Sequence, residues 1–294
     1  MKDLGPAGWI LHVEIKRDRK HRKIHLCQQA YIKMLVDRYY ASSQHKTNNC
    51  AMTIDFTDKK MYDRELNALE TVQYRSIIGA LLYAAQQTRP DIAWVVGALG
   101  RYNQSPCVVH MKAAMHVLHY LQTTNNLVLS IKSHSKDVIP PIEIYVDSDW
   151  AGDKTDRKST TGLVVLVDKS PVSWQSSKQR SISLSSTEAE TIALSEACKE
   201  AAWYHKLISE LYDTCKPIKV YVDNKPTIDI AEGKGSHDKS KHIAVRDLYA
   251  QECVENGIVK LVWIPTKQQL ADFLTKRLPT DQLQTLRNCI METI

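Results

Sequence analysis

The stretch Ile142-Glu-Ile-Tyr-Val-Asp-Ser-Asp149 alternates apolar and polar residues and ends with two carboxylates. Such alternation predicts a half-buried strand, which we place over residues 142–147. Three further acids stand at the boundaries of later predicted elements: Glu188, Asp223 and Asp272. We therefore interpret the chain after Ile142 as a scaffold that gathers these acids.

The order of predicted elements around this stretch indicates an α/β fold with a mixed sheet flanked by helices. We predict strands over 142–147, 162–168, 171–175, 218–222 and 258–264, with helices between the later ones. A stripe of alanines and larger apolar residues from Ala189 to Leu211 predicts one long helix. Thr187 and Glu190 have capping-box spacing, so we expect Thr187 to cap this helix and Glu188 to face away from the stripe.

The part of the chain before Ile142 predicts a β-hairpin followed by a small helical bundle. Residues 9–27 suggest the hairpin, whose tip over 16–23 carries six Lys and Arg. This tip either contacts a nucleic-acid backbone or is simply solvated. We expect helices over 28–40, 74–87, 90–102 and 108–122, a polar loop over 41–69 and a linker over 125–141.

Composition is typical of a soluble globular protein, with 43% hydrophobic and 24% charged residues. Seven cysteines without Cys-x-x-Cys spacing indicate a reducing compartment and no disulfide framework. No signal peptide is recognised, and no apolar run approaches the roughly 18 residues of a membrane span. We expect an intracellular protein, cytoplasmic or nuclear, without membrane partners.

The charge is distributed unevenly along the chain. Residues 1–139 hold 19 Lys and Arg against 11 Asp and Glu, whereas residues 140–294 hold 20 against 22. A basic half suits a polyanion, and an acidic half suits metal ions. The alternative is unequal solvation of two surfaces.

Four acids gathered at one site would repel each other unless cations neutralise them. A set of carboxylates without His or Cys selects hard ions. The acids therefore predict two divalent cations, Mg²⁺ or alternatively Mn²⁺.

Several long motifs carry a resemblance to a known family. In the second half they are Tyr145-Val-Asp-Ser-Asp-Trp-Ala-Gly-Asp153, Arg157-Lys-Ser-Thr-Thr-Gly162, Leu184-Ser-Ser-Thr-Glu-Ala-Glu190, Asp223-Asn224, Lys241-His-Ile243 and Gln269-Leu-Ala-Asp272. They resemble the ribonuclease H domain of copia-type LTR retrotransposon polyproteins. Upstream, Tyr74-Arg-Ser-Ile-Ile-Gly79 and Thr88-Arg-Pro-Asp-Ile92 are similar to the end of the same polyprotein's reverse transcriptase.

The resemblance implies a domain plan. It implies a reverse transcriptase C-terminal fragment over 1–124, the linker over 125–141, a ribonuclease H-like domain over 142–279 and a tail helix over 280–294. The polymerase motif with paired aspartates does not occur, so we do not expect this chain to polymerise DNA by itself. Other segments of the parent polyprotein are expected partners.

The resemblance also implies catalytic roles. Asp147 would bridge two metal ions roughly 4 Å apart, Glu188 and Asp223 would bind one ion, and Asp272 would bind the other. His242 would act as a proton shuttle or phosphate contact, or would serve only packing. Asp149 ranks second to Asp147, because it would equally suit the loop that follows.

The implied substrate is an RNA–DNA hybrid whose RNA strand is cut to leave a 5′-phosphate and a 3′-hydroxyl. Glu188 and backbone groups near Asp147 would recognise ribose 2′-hydroxyls. We add seven candidates for contacts with nucleic acid: Arg17, Arg19, Lys20, Arg22, Lys23, Ser186 and Asn224.

Three alternatives stay open. The chain would be a non-catalytic nucleic-acid-binding remnant if the acids only record ancestry. A transposase or integrase on the same fold needs the order Asp, Asp, Glu, whereas the order here is Asp, Glu, Asp, Asp. A metal site at His110, His116 and His119 would need further ligands.

Overall fold

Two five-stranded sheets organise the computed structural model, which describes residues 5–39, 55–57, 63–133, 139–234 and 241–294, with only the backbone for 241–244. The strands are β1 (Trp9–Ile10), β2 (Val13–Asp18), β3 (Lys23–Cys27), β4 (Leu127–Lys132), β5 (Ile142–Asp149), β6 (Thr160–Val167), β7 (Ser170–Lys178), β8 (Ile218–Val222), β9 (Val259–Trp263) and β10 (Met291–Thr293). The helices are α1 (Gln29–Tyr39), α2 (Ala68–Gln87), α3 (Ala93–Gly100), α4 (Val108–Thr123), α5 (Ser186–Tyr212), α6 (Lys225–Ala231), α7 (Lys241–Glu255) and α8 (Thr280–Ile290).

The chain forms two compact units, each with one of the sheets. Unit 1 comprises residues 1–132 and 277–294, and unit 2 comprises residues 133–276. Among the helices of the described residues, none combines the length and the apolar character needed to cross a membrane.

The sheet of unit 1 is antiparallel throughout, in the order β1-β2-β3-β4-β10. The hairpin has a shorter turn than we expected, because β2 continues to Asp18 and β3 begins at Lys23. Part of the expected linker over 125–141 is instead the strand β4, whose apolar start at Leu127 is buried between β3 and β10. The expected tail helix is followed by β10, so the C-terminal segment completes this sheet.

The helices of unit 1 follow the predicted pattern except at one boundary. Helix α2 begins at Ala68, inside the stretch we interpreted as a polar loop. Asn67 explains the earlier start: its side chain accepts a hydrogen bond from the Glu70 backbone N–H at 3.0 Å, and its own N–H donates to Glu70 Oε2 at 2.9 Å. This reciprocal pair is a capping box with Asn in place of Ser or Thr. Of the rest of the expected loop over 41–69, residues 41–54 and 58–62 lie outside the described residues.

A buried polar network joins the C-terminal helix to the rest of unit 1. Arg89 and Asp91 form a fully buried ion pair at 2.7 Å. The Tyr120 hydroxyl donates to Asp91 at 2.7 Å, and Arg287 of α8 donates to the Tyr120 oxygen at 3.0 Å. Buried charges must be paired in this way to be tolerated, so the network places α8 against α4.

Unit 2 contains the mixed sheet that the sequence predicts. Its order is β7-β6-β5-β8-β9, with β5, β6 and β7 antiparallel and with β8 and β9 parallel to β5. Helix α5 packs on β5 through small residues such as Ala193 and Ala197, which are fully buried. The α/β fold class is therefore confirmed.

The N-cap of the long helix lies two residues before the expected one. Ser185 is the N-cap residue, and its side chain accepts a hydrogen bond from the Glu188 N–H at 3.1 Å. Thr187 consequently lies inside the first turn.

Candidate metal centre

The parallel pairing of β5 with β8 brings Asp147 and Asp223 to the same sheet edge. The two strands pair from Glu143–Lys219 to Tyr145–Tyr221 and have no further paired residues. Beyond that point the Gln269 amide donates to the Val146 carbonyl of β5 at 2.9 Å and to the Tyr221 carbonyl of β8 at 3.4 Å. Gln269 thus satisfies backbone oxygens where the ladder ends.

Glu190 of α5 completes a cluster of three acids with these two aspartates. One carboxylate oxygen from each of Asp147, Glu190 and Asp223 lies within 4.8 Å of the other two. We call these three residues the acid cluster. Glu190 Oε1 accepts a hydrogen bond from the Ser148 N–H at 3.3 Å, whereas the buried Oε2 has no hydrogen-bond partner within the described residues.

The structure places Glu188, our expected ligand, outside the acid cluster. Its carboxylate accepts a hydrogen bond from the Leu184 N–H at 2.8 Å, which satisfies a backbone donor at the helix start. The sequence predicts Glu190 at the capping position and Glu188 at the site, whereas in the structure Glu190 lies in the acid cluster and Glu188 lies at the helix start. The signal was present in the helix phase, since Glu190 shares the buried stripe of Ala193 and Ala197 at i+3 and i+7.

Asp272 lies beside Asp147 because a short 3-10 helix, Leu270–Leu274, packs on β6. Gly162 makes this approach possible. A Cβ there would lie 2.6 Å from Thr275 Cγ2 and 2.8 Å from the Ala271 carbonyl oxygen, far closer than such atoms pack. Thr275 then donates from its hydroxyl to Asp147 Oδ2 at 2.7 Å.

The electrostatics of the acid cluster are unfavourable without a cation. Burial, opposed by the Lys276 ammonium and reinforced by Asp272, raises the pKa of Asp147 to about 6. Burial and the neighbouring Asp147 and Asp223 carboxylates raise the pKa of Glu190 well above its usual value. Burial also raises the pKa of Asp223, against a hydrogen bond from Thr266. Mutual repulsion in a desolvated cluster is what a bound cation would relieve.

The donor set fits a hard divalent cation. All three groups of the acid cluster offer carboxylate oxygens, which suit Mg²⁺ or Mn²⁺ better than softer metals. The bare Glu190 Oε2 is a buried acceptor directed at no protein donor in the described residues. Asp147, Glu190 and Asp223 are therefore the residues that would hold such an ion, with Asp272 next to them.

Four further candidate residues, Asp149, Ser186, Asn224 and His242, belong to unit 2. Asp149 turns toward its own loop, where it accepts a hydrogen bond from the Thr160 N–H and covers Gly152. Ser186 is exposed at the start of α5. Asn224 caps α6 by accepting a hydrogen bond from the Thr227 N–H at 3.1 Å. His242 belongs to α7, and its side chain lies outside the described ones.

The basic hairpin belongs to unit 1, and its residues are not all at the tip. Arg17 lies in β2 and donates to the Ala7 carbonyl at 3.1 Å, and Lys23 lies in β3. Only Arg19, Lys20 and Arg22 of the five basic candidates occupy the turn itself. The hairpin thus presents a smaller basic tip than we expected.

The histidines of α4 do not form a metal site. Among the described residues, the acid cluster is the only group of three or more His, Cys, Asp or Glu side chains close enough to share a metal ion. His110 is buried, stacks on Tyr102 with ring centroids 3.9 Å apart, and accepts a hydrogen bond from the Cys107 N–H at 2.8 Å. Burial lowers the pKa of His110 to about 4, so it is a neutral packing residue.

Comparisons with known proteins agree with the motifs. No family model matches the chain. It is 34% identical over 293 residues to the retrovirus-related Pol polyprotein from transposon TNT 1-94 of Nicotiana tabacum, a match that covers 99% of this chain and 22% of that protein. It is 31% identical over 291 residues to the corresponding polyprotein from transposon RE1 of Arabidopsis thaliana, a match that covers 99% of this chain and 19% of that protein. The chain thus spans about a fifth of the length of these two relatives.

Solved structures of ribonucleases H are also similar to part of the chain. The N-terminal ribonuclease H domain of rv2228c from Mycobacterium tuberculosis matches at 16% identity, covering 51% of this chain and 97% of that one, with a TM-score of 0.36. LC11-RNase H1 in complex with an RNA/DNA hybrid matches at 17% identity, covering 46% and 93%, also with a TM-score of 0.36.

The polyprotein matches extend over almost the whole chain, across both units, at more than 30% identity. The mixed sheet of unit 2 has the architecture that the motifs implied. The chain is thus homologous, over almost its whole length, to one segment of the retrovirus-related Pol polyproteins of copia-type transposons.

Proposed function

We propose that unit 2 is a divalent-metal-dependent nuclease that hydrolyses the RNA strand of RNA–DNA hybrids. The observation that carries this proposal is the acid cluster, in which two buried carboxylates and one half-buried carboxylate have oxygens within 4.8 Å of one another and Glu190 Oε2 has no protein donor in the described region. Such an arrangement opposes stability in the absence of a cation. It is therefore best explained by a function that uses the ion.

The residues of unit 2 would hold the ions and keep the acids in place. Asp147, Glu190 and Asp223 would bind one Mg²⁺, and Asp147 with Asp272 would bind a second. When bound, such ions activate a water molecule and stabilise the charge on the departing ribose oxygen. Thr275 and Thr266 hold Asp147 and Asp223 by hydroxyl hydrogen bonds of 2.7 Å each, so the carboxylates are already oriented.

The RNA–DNA hybrid is the substrate we infer from the family and from the position of exposed groups. Ser186 lies one helical turn before Glu190 and is exposed, so its hydroxyl suits a ribose or phosphate contact beside the site. The Glu188 carboxylate accepts a hydrogen bond from the Leu184 N–H at the helix start, so we do not assign the recognition of 2′-hydroxyls to it. Ser186 and backbone groups near Asp147 take that role in the proposal.

Cleavage of a labelled RNA strand annealed to DNA tests the proposal, with Mg²⁺ and with EDTA. We expect Mg²⁺-dependent cutting by the wild type and a loss of at least a hundredfold in Glu190→Gln, since a metal ligand is removed. Glu188→Gln is the matched control, because it makes the same chemical change two residues away. It should retain cleavage within a fewfold of the wild type.

Two results would contradict the proposal. Cleavage that persists in Glu190→Gln but disappears in Glu188→Gln would move the site away from the acid cluster. A folded wild type that binds hybrid but does not cut it with Mg²⁺ or Mn²⁺ would favour the non-catalytic remnant.

A further inference from the structure

A lysine lies among the acids that the proposed reaction uses. Lys276 Nζ lies 2.7 Å from Asp272 Oδ1 and 3.8 Å from Asp147 Oδ2. Its side chain is 40% exposed, whereas the Asp272 side chain is 1% exposed. The ammonium group therefore sits at the mouth of the site, with its charge directed inward.

The local chain geometry gives Lys276 this position. The 3-10 helix Leu270–Leu274 continues into a turn in which the Thr275 and Lys276 N–H groups both bond to the Asp272 carbonyl, at 3.2 and 3.4 Å. Lys276 thus follows Asp272 by four residues on one side of this turn. The same turn directs the Thr275 hydroxyl to Asp147 Oδ2. Two consecutive residues therefore contact the same carboxylate.

The acids divide into two groups that differ in what neutralises them. No ammonium or guanidinium group of the described residues lies within ion-pairing distance of Glu190 or Asp223. Between Asp147 and Asp272, by contrast, an ammonium is already present. A cation bound by both of these aspartates would have to share their oxygens with Lys276.

We propose that Lys276 is an internal competitor for the second divalent cation, so that the chain binds one ion tightly and a second only when Lys276 moves away. This inference rests on the proposed function, because it assumes that the acids bind divalent cations. A lysine suits the role, since its ammonium is a compact point charge on a flexible stem. Its partly exposed side chain can leave the site without disturbing the core.

Titration of the full chain with Mn²⁺ by calorimetry, in metal-free buffer, measures the number and affinity of bound ions without requiring activity. We expect one tight and one weak ion in the wild type. Lys276→Met should bind the second ion at least tenfold more tightly, because the competing charge is gone. Lys276→Arg should keep the weak second ion, since it keeps the charge.

Two matched variants control for indirect effects. Lys260→Met makes the same change at an exposed position of β9 and should leave both affinities unchanged. Asp272→Asn in the Lys276→Met background should abolish the gained affinity, because the second ion loses a ligand. If Lys276→Met does not fold by circular dichroism, Lys276→Gln provides the same test with a polar side chain.

The outcomes separate this inference from the proposed function. If the wild type and Lys276→Met bind each of the two ions with the same affinity, the inference is overturned and the proposed function stands. Failure of the wild type and Lys276→Met to bind any Mn²⁺ would overturn both.

Discussion

Asp147 shows at the scale of one residue how the site opposes stability. Its folded-state pKa of about 6 lies above the unfolded value near 4. The folded state therefore binds more protons between these pH values, and this group lowers the stability of the protein as pH rises through that window. Above about pH 6 the penalty is fully present.

Asp147→Asn should therefore stabilise the metal-free protein at neutral pH. We expect a gain of about 1–3 kcal/mol in the free energy of unfolding at pH 7, because the cost of burying the Asp147 charge and its repulsion by Asp272 are removed. Urea unfolding in EDTA measures it. The gain should shrink toward zero near pH 4, where the wild-type carboxyl is protonated.

Excess Mn²⁺ provides the control for Asp147→Asn. It should stabilise the wild type more than the variant, since the stabilisation of the folded state grows with the logarithm of the ligand concentration divided by Kd. A variant that is less stable than the wild type in EDTA at pH 7 would show that Asp147 is a structural residue and would contradict this account.

Single residues also show which part of the site the sequence could reveal. Asp147 and Asp223 were predictable, because both follow alternating strands whose parallel pairing brings their ends together. Residue type does not distinguish Glu188 from Glu190, but the helix phase does, since Glu190 shares the face of the buried Ala193 and Ala197. The sequence prediction takes the opposite face as the site, whereas the acid cluster lies on the face that contacts the sheet.

At the scale of elements, the approach of the 3-10 helix to β6 depends on one glycine. Gly162→Ala would place a Cβ within 3.0 Å of Thr275, Ala271 and Leu274. We expect a loss of about 1–3 kcal/mol in unfolding free energy and at least a tenfold loss of Mg²⁺-dependent cleavage. The activity should fall because Asp272 and Thr275 move away from Asp147.

Gly97→Ala is the matched control for Gly162→Ala. Gly97 lies inside α3, and a Cβ there meets no atom within 4 Å. Alanine has the higher helix propensity, so this variant should be neutral or up to about 1 kcal/mol more stable. If both glycine variants behave alike, the close packing at Gly162 does not position the site.

Element boundaries also mark the limit of prediction from local patterns. The order of strands and helices in unit 2 follows from alternation and helical periodicity. The strand β4 was missed, because six residues between polar stretches do not identify a strand until its partners are known. The residues of β3 and β10 that pair with β4 are each more than 100 positions away from it in the chain, and local sequence patterns do not connect segments so far apart.

At the scale of the whole molecule, the C-terminal segment belongs to unit 1 rather than to the domain that precedes it in the sequence. Arg287 of this segment donates a hydrogen bond to the Tyr120 oxygen, and the Tyr120 hydroxyl donates to Asp91 of the buried Arg89–Asp91 pair. Periodicity indicates an amphipathic helix over 280–290 but not which sheet it covers. Only the long-range pairing of β10 with β4 decides that.

Arg287→Met should therefore destabilise unit 1 and leave unit 2 unchanged. Removing one member of a buried polar network leaves its partners unsatisfied, and we expect a cost of about 1–3 kcal/mol. Hydrogen exchange measures the two units separately. Amides of α4 in unit 1 should exchange faster in the variant, whereas amides of α5 in unit 2 should keep their protection.

Arg277→Met tests whether this effect is specific, because it is the same substitution at an exposed residue. Arg277 lies ten residues before Arg287 in the chain. It should leave the exchange of α4 within error of the wild type. If the Arg287→Met substitution accelerates amide exchange in α5 as much as in α4, the two units unfold together. Because the proposed cleavage site lies in unit 2, we expect Arg287→Met to retain Mg²⁺-dependent cleavage under conditions in which unit 1 has lost protection.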